Sequence, residues 1–249
     1  MTTNKKQIII VGATSAIAEQ CARIWIKEAP AELILIARDA KKVEALAIDL
    51  RVRSPQSAVR AITIDFFDVA AIAALIDQLC EKRSPDIVLI AHGSLPDQVQ
   101  CQQDLVAVHA ALEINGISPA VFAEGFAAHM QIHNAGTLAL IGSVAGDRGR
   151  KSNYVYGAAK GLVARYAQGL QHRFAGSNVK VVLIKPGPTA TPMTAHLPQQ
   201  GLALAASVAS SIVKGIQQGR AVVYAPGKWA LIMMIIRHLP AFVFNKLNI

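Results

Sequence analysis

The chain has 249 residues, of which 53% are hydrophobic, so it can bury a full core, and α/β folds of this size commonly form one domain. Its three cysteines, Cys21, Cys80 and Cys101, lie far apart, which argues against a disulfide framework or a zinc site and favours a reducing, cytoplasmic setting. The net charge of +9 is regional: residues 1–147 carry −4, and residues 148–249, which contain no acid, carry +13.

Short apolar segments alternate with helical patterns along the whole chain. The alternation predicts an α/β protein with a parallel seven-stranded sheet, helices on both faces and a doubly wound Rossmann fold. We expect residues 1–227 to form the catalytic domain and residues 228–249 to extend it as an apolar, basic helical tail. The irregular stretch 186–202 follows a strand and is predicted to form a mobile substrate lid. The expected strands are 7–12, 32–37, 59–64, 86–91, 137–142, 179–184 and 221–225.

The first strand leads into a turn and then a helix, where backbone N–H groups can receive a pyrophosphate. Gly12 is retained, but Ala16 and Ala18 occupy the positions at which such turns usually carry a second and third glycine. The turn alone would also suit an ordinary strand-to-helix connection. The residues expected to contact a dinucleotide here are Gly12, Thr14, Ser15, Ala16 and Ile17.

The second strand ends at Ala37, where an acid would bind the ribose 2′-hydroxyl of NAD(H), and Arg38 follows. A guanidinium can hold a 2′-phosphate through two hydrogen bonds, so Arg38 favours NADP(H). The alternative is that Arg38 lies on a solvated helix turn and pairs with Asp39.

Tyr156 and Lys160 lie one helical turn apart, and Ser143 ends a strand thirteen residues before the tyrosine. A phenol with a pKa near 10 is a slow proton donor or acceptor at neutral pH, so an adjacent ammonium that lowers the pKa would activate it. A serine hydroxyl can donate to an oxygen on which negative charge develops. These residue types predict the reduction of a carbonyl or the reverse oxidation.

The ordered set of Gly12, Asp65, Asn115, Ser143, Tyr156, Lys160 and Pro186-Gly187 resembles the short-chain dehydrogenase/reductase family over almost the whole chain. The resemblance implies a catalytic group of Asn115, Ser143, Tyr156 and Lys160, in which Asn115 holds a water that relays protons to Lys160. Tyr156 and Lys160 would also contact the cofactor. It further implies a homodimer or homotetramer paired through the helices that carry Asn115 and Tyr156.

The same resemblance assigns further cofactor contacts. Asp65 would contact the adenine, and Ala91 and Gly93 stand in a turn that is Asn-Ala-Gly in the family, with His92 as a loop residue near the adenosine. Around the nicotinamide, the implied contacts are Pro186, Gly187 and Thr189.

After the last strand, eight consecutive apolar residues, 229–236, are too few to span a membrane but too apolar for open water. With Lys228, Arg237 and Lys246 beside them and Trp229 at one edge, they favour peripheral binding to an anionic membrane, although packing in the domain core or in a dimer interface remains open. The basic residues form no run with interleaved aromatics, which argues against nucleic acid.

Residues 143–148, 152–157 and 233–247 resemble a subgroup of the family that reduces a keto-pentose linked to a polyprenyl phosphate. The resemblance implies a lipid-linked ketone as substrate and a location at the inner face of the cell membrane. Two other readings stay open at this point: a soluble reductase of a steroid-like or acyl ketone, and a non-catalytic protein that senses the cofactor.

Overall fold

The apolar segments of the sequence form strands in the computed structural model, which describes residues 5–196 and 198–247. The predicted units 1–227 and 228–249 include a few residues that lie outside this description: 1–4, 197, 248 and 249. The strands are β1 (Gln7–Val11), β2 (Glu32–Ala37), β3 (Ala58–Thr63), β4 (Ile87–Ile90), β5 (Thr137–Ile141), β6 (Lys180–Pro186), β7 (Thr189–Ala190), β8 (Ala203–Leu204) and β9 (Val222–Ala225).

Seven of these strands form one parallel sheet in the order β3-β2-β1-β4-β5-β6-β9. The seven predicted strands and the doubly wound fold are therefore confirmed, with ends that shift by up to two residues. Because all strands are parallel, the carboxyl ends of β1, β4, β5 and β6 meet at one edge, where such folds bind ligands. The sequence did not predict the pair of β7 and β8, which lies within and after the proposed lid.

Helices cover both faces of the sheet and create two apolar layers. One layer packs α1, α2 and α8 on the sheet, and the other packs α3, α6 and α7. The helices are α1 (Ala16–Glu28), α2 (Ala40–Arg53), α3 (Val69–Cys80), α4 (Gln98–Gln103), α5 (Leu105–Leu112), α6 (Ser118–His133), α7 (Tyr154–Arg173), α8 (Ala205–Gln217), α9 (Lys228–His238) and α10 (Ala241–Phe244).

A π-helical turn, Glu113–Ile117, joins α5 to α6 and makes one continuous helical stretch, Leu105–His133. By length and composition this is the one stretch among the described residues that could cross a membrane. Phe122 and Phe126 of α6 are fully buried against the sheet, and a core helix passes the same test. We therefore assign the stretch to the packing of the domain.

The C-terminal tail forms α9 and α10 and lies against the domain with one face only. Met233 is buried, whereas Leu231, Ile235 and Phe242 are 60%, 55% and 72% exposed. The guanidinium of Arg148 fastens the tail by donating hydrogen bonds to the carbonyl oxygens at the end of α9, Ile236 at 2.7 Å and Leu239 at 2.6 Å. The tail thus packs partly on its own domain and leaves an apolar surface open.

Candidate active site

The turn after β1 can accept a dinucleotide because its backbone is held in a conformation that only glycine allows easily. Gly12 has a φ of +80°, and a Cβ at this position would lie 2.5 Å from the backbone nitrogen of His92. The side chain of Ser15 does not cap the first turn of α1, so the N–H groups there face an open groove of about 520 Å³. This groove is lined by Gly12, Thr14, Ser15, Ala16 and Ile17, and their contact with a dinucleotide stays a prediction.

Arg38 lies at the far end of this groove, together with Lys42. Asp39 caps α2 by accepting from the backbone nitrogen of Lys42 at 3.0 Å, and its carboxylate lies 3.5 Å from the Lys42 ammonium. Within the described residues Arg38 has no ion pair, so the alternative in which Arg38 pairs with Asp39 does not hold. Two cations and one acid leave this end of the groove positive, which suits a phosphate.

His92 forms the wall between this groove and the catalytic cavity. The hydroxyl of Ser118 donates to the carbonyl of Phe66 at 2.8 Å and so accepts from His92 Nε2 at 3.0 Å. Burial, with Lys160 and Arg38 nearby, holds the pKa of His92 well below 6.5, so the ring is neutral. Nδ1 is then a buried acceptor without a partner in the described part of the chain, and it is available to a cofactor hydroxyl.

Asp65 does not reach the groove. Its carboxylate accepts from the backbone nitrogen of Phe67 at 3.0 Å and is exposed, while the neighbouring Phe66 lines the groove instead. The guanidinium of Arg38 lies 5.8 Å from the centre of the Phe66 ring. The proposed contact between Asp65 and the adenine stays a prediction.

Ser143 and Tyr156 meet in a cavity of about 180 Å³ at the carboxyl edge of the sheet. Ser143 follows β5 and caps a short 3-10 turn through the backbone nitrogen of Ala145, at 3.1 Å. Tyr156 lies on the first turn of α7. Burial raises the pKa of the Tyr156 phenol above its ordinary value, and the hydrogen bond with Ser143 opposes that increase.

Lys160 lies in the same cavity, and its ammonium has a backbone partner. It is 3% exposed, donates to the carbonyl oxygen of Ile141 at 3.1 Å and lies 5.9 Å from the centre of the Tyr156 ring. Burial lowers the pKa of Lys160 to about 8. Desolvation is the largest influence on the pKa of the Tyr156 phenol here, and the expected lowering of that pKa by Lys160 stays a prediction.

Asn115 occupies the π-helical turn rather than a regular helix, as often happens at functional sites. Its side chain accepts from the backbone nitrogen of Ser94 at 2.9 Å and donates to the carbonyl of Ala111 at 2.9 Å. A Cβ on Gly93 would lie 2.7 Å from Asn115 Oδ1 and 3.5 Å from Lys160 Nζ, so glycine is needed where these two groups approach. The water relay between them stays a prediction.

The loop after β6 closes the cavity at the predicted nicotinamide end. Pro186, Gly187 and Thr189 all line it, with Ala91 and Gly93 opposite. The backbone nitrogen of Gly187 donates to Ala225 at 3.0 Å, and the Thr189 hydroxyl donates to the Gly187 carbonyl at 2.8 Å. Residues 188–194 of the predicted lid continue this wall through Thr191, Met193 and Thr194. Leu197 of the lid lies outside the described residues.

The sequence profile of the short chain dehydrogenase family matches residues 6–201. The chain belongs to this family. An uncharacterized oxidoreductase in the mprA 5′ region of Streptomyces coelicolor is 30% identical over 244 residues, which cover 97% of this chain and 96% of the relative. An uncharacterized oxidoreductase of Mycobacterium tuberculosis H37Rv is 30% identical over 249 residues, 98% of each chain.

Solved structures show the same fold. A short-chain dehydrogenase from Sphingobium yanoikuyae in complex with NADPH superposes with a TM-score of 0.81 at 22% identity, covering 95% of this chain and 97% of its own. One from Burkholderia cenocepacia in complex with NADP gives 0.82 at 15% identity, covering 98% of each. The prediction of an NAD(P)-dependent short-chain oxidoreductase is confirmed by the family.

In this short chain dehydrogenase, Trp229 contacts the loop of the candidate active site, and the sequence did not reveal this contact. The indole lies against Gly187, where a Cβ would come within 1.9 Å of Trp229 Nε1. The start of α9 is thereby in contact with the loop that closes the catalytic cavity.

The sequence also did not reveal a buried ion pair that lies behind the same loop. The ammonium of Lys185 on β6 donates to Asp147, and both side chains are almost fully buried. The hydroxyl of Tyr224 on β9 donates to the second carboxylate oxygen of Asp147 at 2.8 Å. The pair joins the segment after Ser143 to the strand that ends at Pro186. The available signal was Lys185, a lysine within an otherwise apolar strand.

Proposed function

We propose that the protein is an NADPH-dependent reductase that transfers a hydride to a ketone. The observation that carries the proposal is the meeting of Ser143, Tyr156 and Lys160 in one cavity that adjoins the groove of Gly12 and Arg38. When bound, NADPH supplies the hydride. The Ser143 hydroxyl holds the carbonyl oxygen, and the Tyr156 phenol, which accompanies it in the cavity, gives the oxygen its proton.

Lys160 restores that proton. Because its pKa is about 8, Lys160 is charged at neutral pH and releases a proton more readily than an ordinary lysine. In this proposal its ammonium also holds hydroxyl groups of the cofactor ribose. Asn115 lies on the other side of Gly93 from this ammonium and accepts a hydrogen bond from the backbone nitrogen of Ser94. We propose that the path by which protons reach Lys160 from solvent passes Asn115.

Arg38 and Lys42 support NADP(H) rather than NAD(H), because a 2′-phosphate there would meet two cations. The bound cofactors of the two structural neighbours, NADPH and NADP, agree with this choice. The experiment is a steady-state comparison of NADPH and NADH oxidation with a panel of ketones. We expect Arg38→Ser to raise KM for NADPH at least tenfold and to leave KM for NADH nearly unchanged.

The same assay tests the chemistry. We expect Tyr156→Phe to lower kcat by a factor of at least 10³, whereas Tyr154→Phe, an exposed phenol two residues earlier on α7, retains the wild-type rate. Equal activity of Tyr156→Phe and wild type would refute the proposed proton donor.

We further propose that the ketone is the 2-keto group of a pentose linked to a polyprenyl phosphate, reduced at the cytoplasmic surface of the membrane. The support is the open surface of the tail, defined by Leu231, Met234, Ile235 and Phe242, with Lys228 and Arg237 on the same helix. Apolar side chains flanked by cations favour an anionic lipid surface. The exposed Leu105 and Val106 of α5 provide, in turn, a pairing surface for the proposed homodimer or homotetramer.

Vesicle co-sedimentation of the full-length protein tests the membrane proposal. The triple variant Leu231→Asn, Ile235→Asn, Phe242→Asn should lose binding to phosphatidylglycerol vesicles, and high salt should weaken binding of the wild type. The matched control is Val52→Asn, Val69→Asn, Val99→Asn, which changes three equally exposed apolar residues elsewhere. If the tail variant binds like wild type, or changes only the oligomeric state, the membrane proposal is wrong and the tail serves subunit pairing.

A further inference from the structure

Arg150 presents a charged group in the catalytic cavity that no other side chain among the described residues pairs with. It lies in the loop between Ser143 and α7 and lines the cavity together with both catalytic hydroxyl groups. Its Nε is buried and has no hydrogen-bond partner, and the side chain forms no ion pair within residues 5–196 and 198–247. A buried donor without a partner is rare in native proteins and calls for a ligand.

A second unpartnered group lies in the same wall. Asn153 lines the cavity too, and its Oδ1 is buried without a donor in the described residues. The remaining wall at this end is mostly apolar, with Leu95, Val144 and Met193. The cavity therefore combines an apolar surface with a cationic donor and a neutral acceptor, as expected of a site that fixes the orientation of a polar ligand.

The three cations of this loop, Arg148, Arg150 and Lys151, differ in what their side chains contact. Two residues before Arg150, the guanidinium of Arg148 is committed to the carbonyls of Ile236 and Leu239 and lies 3.8 Å from the centre of the Phe244 ring. Lys151, on the other side of Arg150, is exposed to solvent. Of these three neighbouring cations, only Arg150 is directed into the cavity and lacks a partner. Burial lowers its pKa, which shows that the chain does not compensate its desolvation.

We propose that Arg150 binds an anionic group of the ketone substrate, a carboxylate or a phosphate, and so orients the carbonyl towards Ser143 and Tyr156. The proposal rests on the ketone reductase function proposed above and narrows its substrate class. A guanidinium in an apolar cavity can hold either anion through two parallel hydrogen bonds. The Oδ1 atom of Asn153 then accepts from a hydroxyl of the same substrate.

Ligand binding to the NADP-saturated protein tests the proposal without turnover. The probes are phenyl phosphate, benzoylformate and the neutral methyl ester of benzoylformate, titrated by calorimetry; saturation with NADP keeps the anions from the cofactor phosphate sites. We expect the wild type to bind at least one anion at least tenfold more tightly than the ester. Arg150→Gln should remove this preference, and Arg150→Lys should restore part of it.

Lys151→Gln is the matched control, since it removes the same charge from an exposed neighbour. It should keep the preference for the anion to within a factor of two. The proposal is overturned if Arg150→Gln binds the anions as tightly as wild type, if Lys151→Gln loses as much affinity, or if the wild type prefers the ester. The two anions distinguish a carboxylate substrate from a phosphate one.

Turnover separates this proposal from the reductase function itself. The ratio of kcat/KM for benzoylformate to kcat/KM for its ester should fall at least tenfold in Arg150→Gln and stay constant in Lys151→Gln. If the wild type reduces neither carbonyl, nor any other ketone of the panel, while anion binding still depends on Arg150, the proposed reaction is wrong and the anion site stands. If ketones are reduced and the ratio does not change, the anion site is wrong and the reaction stands.

Discussion

Replacement of Lys160 by methionine should stabilise the protein while abolishing activity. The folded protein keeps this ammonium in a site where its pKa falls from 10.5 to about 8, which corresponds to a cost of about 3 kcal/mol at pH 7. Methionine has a similar volume but no charge, so the substitution removes that cost. It also removes the hydrogen bond to the Ile141 carbonyl, worth about 1 kcal/mol, which leaves a net gain of about 2 kcal/mol.

The sign of the pH dependence provides the stricter test. Between pH 8 and 10.5 the unfolded chain holds a proton on Lys160 that the folded chain has released, so the wild type gains stability as the pH rises through this range. The advantage of Lys160→Met should therefore shrink by about 2 kcal/mol between pH 7 and 9.5. Urea unfolding of both proteins at these two pH values measures the effect. An advantage that stays constant or grows would refute the assignment of a desolvated, charged Lys160.

Three further substitutions test the supports of the site. Gly12→Ala should destabilise the fold by more than about 2 kcal/mol and abolish NADPH binding, because φ is +80° and the new methyl would meet the backbone of His92; intact binding measured by fluorescence would contradict this. Asp147→Asn should cost about 3–5 kcal/mol in urea unfolding, since Lys185 would stay buried without a counter-ion, and a second change, Lys185→Met, should recover most of it. Trp229→Ala should raise KM for NADPH about three- to tenfold with little unfolding, because the nicotinamide loop loses its backing; an unchanged KM would exclude that role.

The central strands of the sheet could be predicted because each is a largely apolar run buried on both faces. β1 and β6 illustrate this, as nearly all of their residues are buried. The pair of β7 and β8 could not be predicted, because two residues per strand give no periodicity. The π-helical turn was missed for another reason: the apolar pattern of the sequence does not distinguish this turn from the α-helices on either side of it.

The candidate site shows the same division between local and non-local signals. The spacing of Tyr156 and Lys160, together with the resemblance of the ordered motif set to the family, predicted that Ser143, Tyr156 and Lys160 lie together, and all three line one cavity. The sequence suggested that the Lys160 ammonium acts on the Tyr156 phenol. In the structure the ammonium donates its hydrogen bond to the carbonyl of Ile141, because β5 ends beside it, and the sequence does not reveal that proximity. Trp229 is 42 residues from Gly187 in the sequence, and only the packing of α9 reveals their contact.

The uneven charge of the chain is connected to the chemistry of the cavity. Asp147 is the last acid of the sequence, and the structure commits it to Lys185 in the interior. Among the cations that follow, Arg148 binds carbonyl oxygens and Arg173 pairs with an earlier acid, Glu124. Arg150 does neither within the described residues. A carboxylate close to Arg150 in the chain would neutralise the cavity and compete with an anionic substrate. The absence of acids after residue 147 thus keeps this guanidinium available for the anionic ligand proposed above.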